Sequence, residues 1–93
     1  MFLGKRIKEL REQQGLLQRQ LAANLEIDSP LYSKIERGER RAKRAQVIKL
    51  AEMLGTDKDE LLTLWLAGQV YEVVKDEKNR ENALNMIINL KKP

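Results

Sequence analysis

Apolar residues recur at intervals of three and four along most of the chain, in the sets Leu3, Ile7, Leu10; Leu17, Leu21, Leu25; Ile27, Leu31, Ile35; and Val47, Leu50, Ala51, Leu54. That spacing puts each set on one face of a helix, and no stretch alternates with the period of two that marks a half-buried strand. Gly15, Gly38 and Gly55 follow KELREQQ, SKIER and KLAEML, where a left-handed residue would end each helix. Asp57 with Glu60 three residues on makes a capping-box-like start before LLTLWL, and either Asp28 or Ser29, ahead of Pro30, starts the helix of LYSKIE. The pattern predicts a compact bundle of short helices.

Beyond Leu66 two further amphipathic helices are expected. Val70, Val73 and Val74 form one stripe, and Ala83, Leu84, Ile87, Ile88 and Leu90 another, with KDEKNRE as the turn between them. Apolar stripes need a surface to cover them, so this tail packs on its own bundle, completes a dimer, or holds a partner protein. Lys91 and Lys92 give it a basic end, but Glu72, Asp76, Glu77 and Glu81 oppose an anionic lipid surface, and no membrane association is expected.

Composition narrows the chemistry. A chain of 93 residues supports one core. It contains neither cysteine nor histidine, which removes disulfides, thiolate metal sites, the commonest zinc ligand and the commonest general base. The remaining carboxylates, lysines and hydroxyls form no cluster that nominates a nucleophile, so neither an enzyme nor a bound metal or cofactor is expected. No apolar run approaches the ~20 residues of a membrane span, and MFLGKRIKEL becomes charged too early for a secretory signal. A cytoplasmic protein is expected.

The net charge of +4 is unevenly spread: Lys34 to Lys49 holds seven bases (Lys34, Arg37, Arg40, Arg41, Lys43, Arg44, Lys49) against Glu36 and Glu39, which leaves the rest of the chain near neutrality. A basic strip on a nearly neutral body suits a polyanionic partner; a merely solvated cationic face is the plainer alternative. Only four aromatic residues are present and none is interleaved with these bases, which speaks against a single-strand stacking platform.

Between Gln18 and Arg37 two short helices are separated only by Glu26, Ile27 and Asp28. So tight a connection suits a crossing near 90 to 120°, the geometry of a helix-turn-helix, in which the second helix enters the DNA major groove.

IKELRE, LLQRQLAANLEI, YSKIERGER and VIKLAEMLGTDKDELL follow one another in the order and spacing of the phage-repressor and Cro-like helix-turn-helix family, which the chain resembles from about Leu3 to Leu62. The resemblance implies an all-α fold with a five-helix DNA-binding domain, placed over residues 1–66, to which the apolar stripes of the tail add a short C-terminal helical extension over 67–93. It also implies DNA binding, usually as a homodimer, and a role in transcription regulation. Four positions depart from the family pattern. Leu17 replaces the hydroxyl that commonly caps the second helix, Glu26 the turn glycine, and Ala42 and Lys43 a Pro and a Ser ahead of the fourth helix.

Pro30 and Lys34 are four apart and share a face with Ser29 and Ser33 beside them, while Leu31 or Tyr32 should turn inward with Ile35. Lys34 matches a family position that often reaches base edges, and its charge suits the O6 and N7 acceptors of guanine; contact with phosphate alone is the alternative. Ser29 and Pro30 match the tip of the recognition helix, a sparse reading head that would leave part of the specificity to DNA shape. Gln18 matches a position that grips a phosphate. Arg37, Arg40, Arg41 and Arg44 are expected to hold phosphates, Arg40 and Arg41 foremost. Arg11 and Glu36 match a pair that forms a structural salt bridge in the family, and Trp65, among leucines, is expected in the core or a dimer interface. The expected partner is double-stranded DNA; an antitoxin-like module whose tail binds another protein is the alternative.

Overall fold

The computed structural model describes residues 2–90, and every regular element among them is a helix. The order is α1 (Phe2–Gln13), α2 (Gln18–Asn24), α3 (Ser29–Glu36), α4 (Arg44–Leu54), α5 (Lys58–Val74) and α6 (Arg80–Ile88). The apolar faces of α1 to α5 converge on one core, in which Ile7, Leu21, Tyr32, Ile35, Val47, Leu50 and Leu61 are almost wholly withdrawn from water. Gly15, Gly38 and Gly55 have φ of 68°, 77° and 66°, so the chain reverses at the three helix ends expected from their placement.

Where the sequence lacks capping side chains, a neighbour compensates. Leu17 and Lys43 precede α2 and α4 without offering an acceptor, but Gln20 and Gln46, three residues on, accept their backbone N–H groups at 2.7 and 2.8 Å. Half of a capping box is thereby kept at each start. At α3 the ambiguity resolves to Asp28, whose Oδ1 accepts from the N–H of Leu31 at 2.7 Å. Ser29 and Pro30 are then the first two residues of the helix, where a missing N–H is harmless.

The turn between α2 and α3 passes through Glu26 at φ 59°, the one non-glycine residue of the described chain with positive φ. A left-handed conformation costs an L-residue about 1 kcal/mol or more, and glycine avoids most of that. Glu26→Gly should therefore stabilise the protein by about 1 kcal/mol, raising Tm by ~4–8 °C in a thermal melt. Glu26→Ala should give no such gain.

The first of the two tail helices is not separate. α5 starts at the Asp57 cap and runs unbroken past Leu66 to Val74, so the Val70, Val73 and Val74 stripe is the second half of a helix rooted in the core. Nothing between 66 and 74 stops it: there is no proline, and Gly68 within a helix costs only ~1 kcal/mol. The chain then turns at residues 75–79 into α6, none of whose residues is buried. Lys91 and Lys92, the basic end of the tail, lie outside the described residues. Among the described residues no helix is long and apolar enough to cross a membrane.

Candidate nucleic-acid interface

α3 is positioned by its inner face. Tyr32, Ile35 and Glu36 are buried, while Ser29, Pro30 and Lys34 are exposed and Ser33 is half-buried. The surface of the helix thus carries one side chain set, a serine, a proline, a second serine and a lysine, along its first turn and a half.

The C-terminal end of α3 is anchored through Glu36. Arg11 donates to it from Nε at 2.7 Å and from Nη2 at 3.2 Å, and its Nη1 donates to the carbonyl of Leu16 at 2.9 Å. Gln18 Nε2 adds a further donor to Glu36 Oε1 at 3.1 Å. One carboxylate therefore ties the end of α1, the start of α2 and the end of α3 together. The Tyr32 hydroxyl also approaches this carboxylate but is left without a well-formed hydrogen bond. Burial pushes its pKa well above the usual phenol range, and the neighbouring carboxylate adds to the shift. Burial would likewise raise the pKa of Glu36, but the hydrogen bonds, led by that from Arg11, outweigh it and hold the carboxyl below its ordinary value.

α1 reaches this end of α3 at Gly4. A Cβ there would collide with the carbonyl oxygen of Glu36 and lie 2.8 Å from its carbonyl carbon and 2.9 Å from the Ile35 oxygen. Gly4 was not singled out by periodicity, which tracks apolar side chains; its signal was the unfavourable choice of glycine inside a helix.

The cations on and after α3 divide into two groups. Lys34, Arg40, Arg41 and Lys43 are exposed and make no ion pair within the described residues. Arg37, by contrast, donates to Glu39 from Nε at 2.7 Å and Nη2 at 3.3 Å, and from Nη1 to Ser33 Oγ at 2.6 Å. Arg44 is the first residue of α4 and lies 5.0 Å from the centre of the Trp65 ring, a cation–π contact. The indole Nε1 donates to the Ala42 carbonyl at 2.7 Å, which moors the arginine-rich loop between α3 and α4 to α5. Trp65 is thus a half-buried strut beneath the basic loop.

Gln18, expected at a phosphate, is half-buried at the start of α2, and its side-chain amide donates one hydrogen bond to Glu36. The pairing of Glu39 with Arg37 has no periodic signature, because it joins residues two apart beyond a helix end.

No group of histidines, cysteines or carboxylates among the described residues could hold a metal ion. The arrangement offers hydroxyls, cations and amides, which can form hydrogen bonds and ion pairs with a polyanion. No curated protein and no solved structure matches the chain. A match over residues 3–64, two thirds of the sequence and all of α1 to α4 save one residue, places α2 and α3 within a recognised domain type: the chain belongs to the helix-turn-helix domain family.

Proposed function

We propose that this protein is a sequence-specific transcription regulator that binds double-stranded DNA in the cytoplasm as a homodimer, laying α3 of each copy into the major groove of a two-fold symmetric operator. Family membership supports a DNA-binding regulator. The observation that carries the finer reading is the face of α3, where Ser29, Pro30, Ser33 and Lys34 reach the surface near Arg40 and Arg41, which are exposed and make no ion pair among the described residues. In this reading Lys34 reads a base, Arg40 and Arg41 hold phosphates, and the start of α2 at Gln18 grips the backbone. The half-sites lie about one helical turn (~34 Å) apart. The protein acts by occupancy, without catalysis or cofactor.

Homodimerisation is supported by apolar residues at the C-terminal end. Leu66, Val70 and Val73 recur at i, i+4 and i+7 on α5, and Met86, Ile87, Ile88 and Leu90 follow on and after α6, all exposed in the single chain. The same residues support the alternative, a partner protein held by the tail. Sedimentation equilibrium of the free protein and of its DNA complex distinguishes them: two copies per operator support the dimer, and a single copy per duplex rejects it.

DNA binding is tested by fluorescence anisotropy on duplexes tiled across candidate operators, with scrambled controls, at ~50 and ~200 mM salt. Lys34→Ala should relax preference at one or two base pairs and lose ~1–3 kcal/mol on the preferred duplex. Arg41→Ala should weaken preferred and scrambled duplexes alike and reduce the slope of log K against log salt by ~0.9. Equal losses on both duplexes for Lys34→Ala would remove base reading from that residue.

A further inference from the structure

The side chains of Glu39, Arg37 and Ser33 form a continuous chain of hydrogen bonds on the surface of α3. Glu39 takes two bonds from the Arg37 guanidinium, at 2.7 and 3.3 Å, and the remaining arm of that guanidinium donates to Ser33 Oγ at 2.6 Å. Each link is held by the backbone. Arg37 stands one helical turn beyond Ser33, so their side chains meet on one face. Gly38, at φ 77°, turns the chain back, and the N–H of Glu39 bonds to the Lys34 carbonyl at 2.9 Å, fixing Glu39 against the last turn of α3. The bond to Arg37 holds the Glu39 carboxyl below its usual pKa, and the same bond raises that of Arg37, so the pair stays charged around neutrality.

A serine hydroxyl alone is a poor reader, since it can donate one hydrogen or accept at two lone pairs and so tolerates either kind of base edge. Here one lone pair is occupied by Arg37, whose positive charge also disfavours the approach of a second donor. The hydroxyl hydrogen is what Ser33 has left to offer, and repulsion from the guanidinium favours its pointing away. We infer that Glu39 is a positioning residue that, acting through Arg37, commits the Ser33 hydroxyl to donate, so that Ser33 selects base edges carrying a hydrogen-bond acceptor. The acceptors available in the major groove are N7 and O6 of guanine, N7 of adenine and O4 of thymine, and the edge rejected is the amino group of cytosine. This rests on α3 being the recognition helix. It also gives Arg37 a role in orientation in place of the phosphate contact expected of a free arginine.

The test is selection of bound duplexes from a randomised library by the full chain and by Glu39→Ala, Glu39→Gln, Ser33→Ala and the Glu39→Ala/Ser33→Ala double variant, with thermal melting as the check on folding. In the wild type one position of the recovered motif should disfavour the cytosine edge about tenfold, a modest discrimination for a base contact. Glu39→Ala and Ser33→Ala should each flatten that position alone, and the double variant should flatten it no further. Glu39→Gln, whose amide oxygen still accepts from Arg37, should keep most of the preference. A motif unchanged by Glu39→Ala would overturn the inference. So would a Glu39→Ala protein that binds every duplex more tightly with its preferences intact, for then Glu39 acts only as a charge near phosphate. Recovery of no motif by the wild type would instead sink the DNA-reading function itself, and the relay with it.

Discussion

Gly4→Ala should destabilise the protein by about 3 kcal/mol, lowering Tm by ~12–24 °C for a domain of this size. Helix propensity alone has the opposite sign, because alanine in a helix interior is worth ~1 kcal/mol over glycine. The reversal comes from the close approach of α1 to the end of α3, where an added methyl collides with the Glu36 carbonyl and crowds that of Ile35. Backbone atoms at a helix end cannot swing aside as a flexible side chain can. Gly68 supplies the matched control: it also lies inside a helix, but a Cβ there would meet only the Phe2 ring edge, at 3.9 Å. Gly68→Ala should therefore follow propensity and stabilise by ~0.5–1 kcal/mol. Opposite signs at the two glycines in chemical denaturation would establish the contact. Equal stabilisation at both would mean that α1 and α3 lie further apart than the structure places them. Because α3 carries the surface proposed to meet DNA, Gly4→Ala should also weaken operator binding in whatever fraction remains folded.

Arg11→Ala should cost about 3–5 kcal/mol, the range observed when one partner of a buried ion pair is removed and the other is left behind. The Glu36 side chain is 2% exposed and that of Arg11 11%, so little water is available to replace the lost guanidinium. The loss also frees the Leu16 carbonyl and loosens the link between α1 and α2. Stability of a small domain is ~5–15 kcal/mol in total, so this variant should be marginal at physiological temperature.

The pH dependence separates this pair from a mere packing defect. In the wild type Glu36 is held below its ordinary value of 4.5, so its contribution is fully present above that value and is lost as pH falls through the depressed folded one. In Arg11→Ala only Gln18 and Tyr32 remain to oppose the effect of burial, so the carboxyl should titrate higher than it does in the wild type. The stability it contributes above the ordinary value is then smaller than in the wild type. Unfolding free energies measured between about pH 3 and pH 7 should show this weakened pH dependence once the Glu36→Gln variant, which lacks the titrating group, is used as the baseline.

The fold class was open to reading from the chain because its determinants are local. Intervals of three and four, a glycine after each of α1, α3 and α4, and Asp57 ahead of LLTLWL act within a turn or two of where they stand. The helix-turn-helix followed from the shortness of the connection at Glu26, Ile27 and Asp28, and the family match over residues 3–64 agrees with it. The separate helix expected after Leu66 is instead the second half of α5, for a related reason. A fading resemblance is not a stop signal, and no local feature there breaks α5.

Which segments are helical, which of their faces are apolar and where the cations cluster therefore all follow from local patterning. Which polar groups find partners within the fold, by contrast, depends on how the helices pack. Arg37 and Arg44 belong to the same basic strip as Arg40 and Arg41, yet Glu39 and Ser33 engage the first and Trp65 the second, and Gln18 turns inward to Glu36. The Gly4 contact likewise joins residues 32 apart in the chain. Periodicity fixes the direction of a side chain about its own helix axis, whereas partners supplied by other helices and loops depend on how those axes pack, a choice made by the summed burial of the whole core.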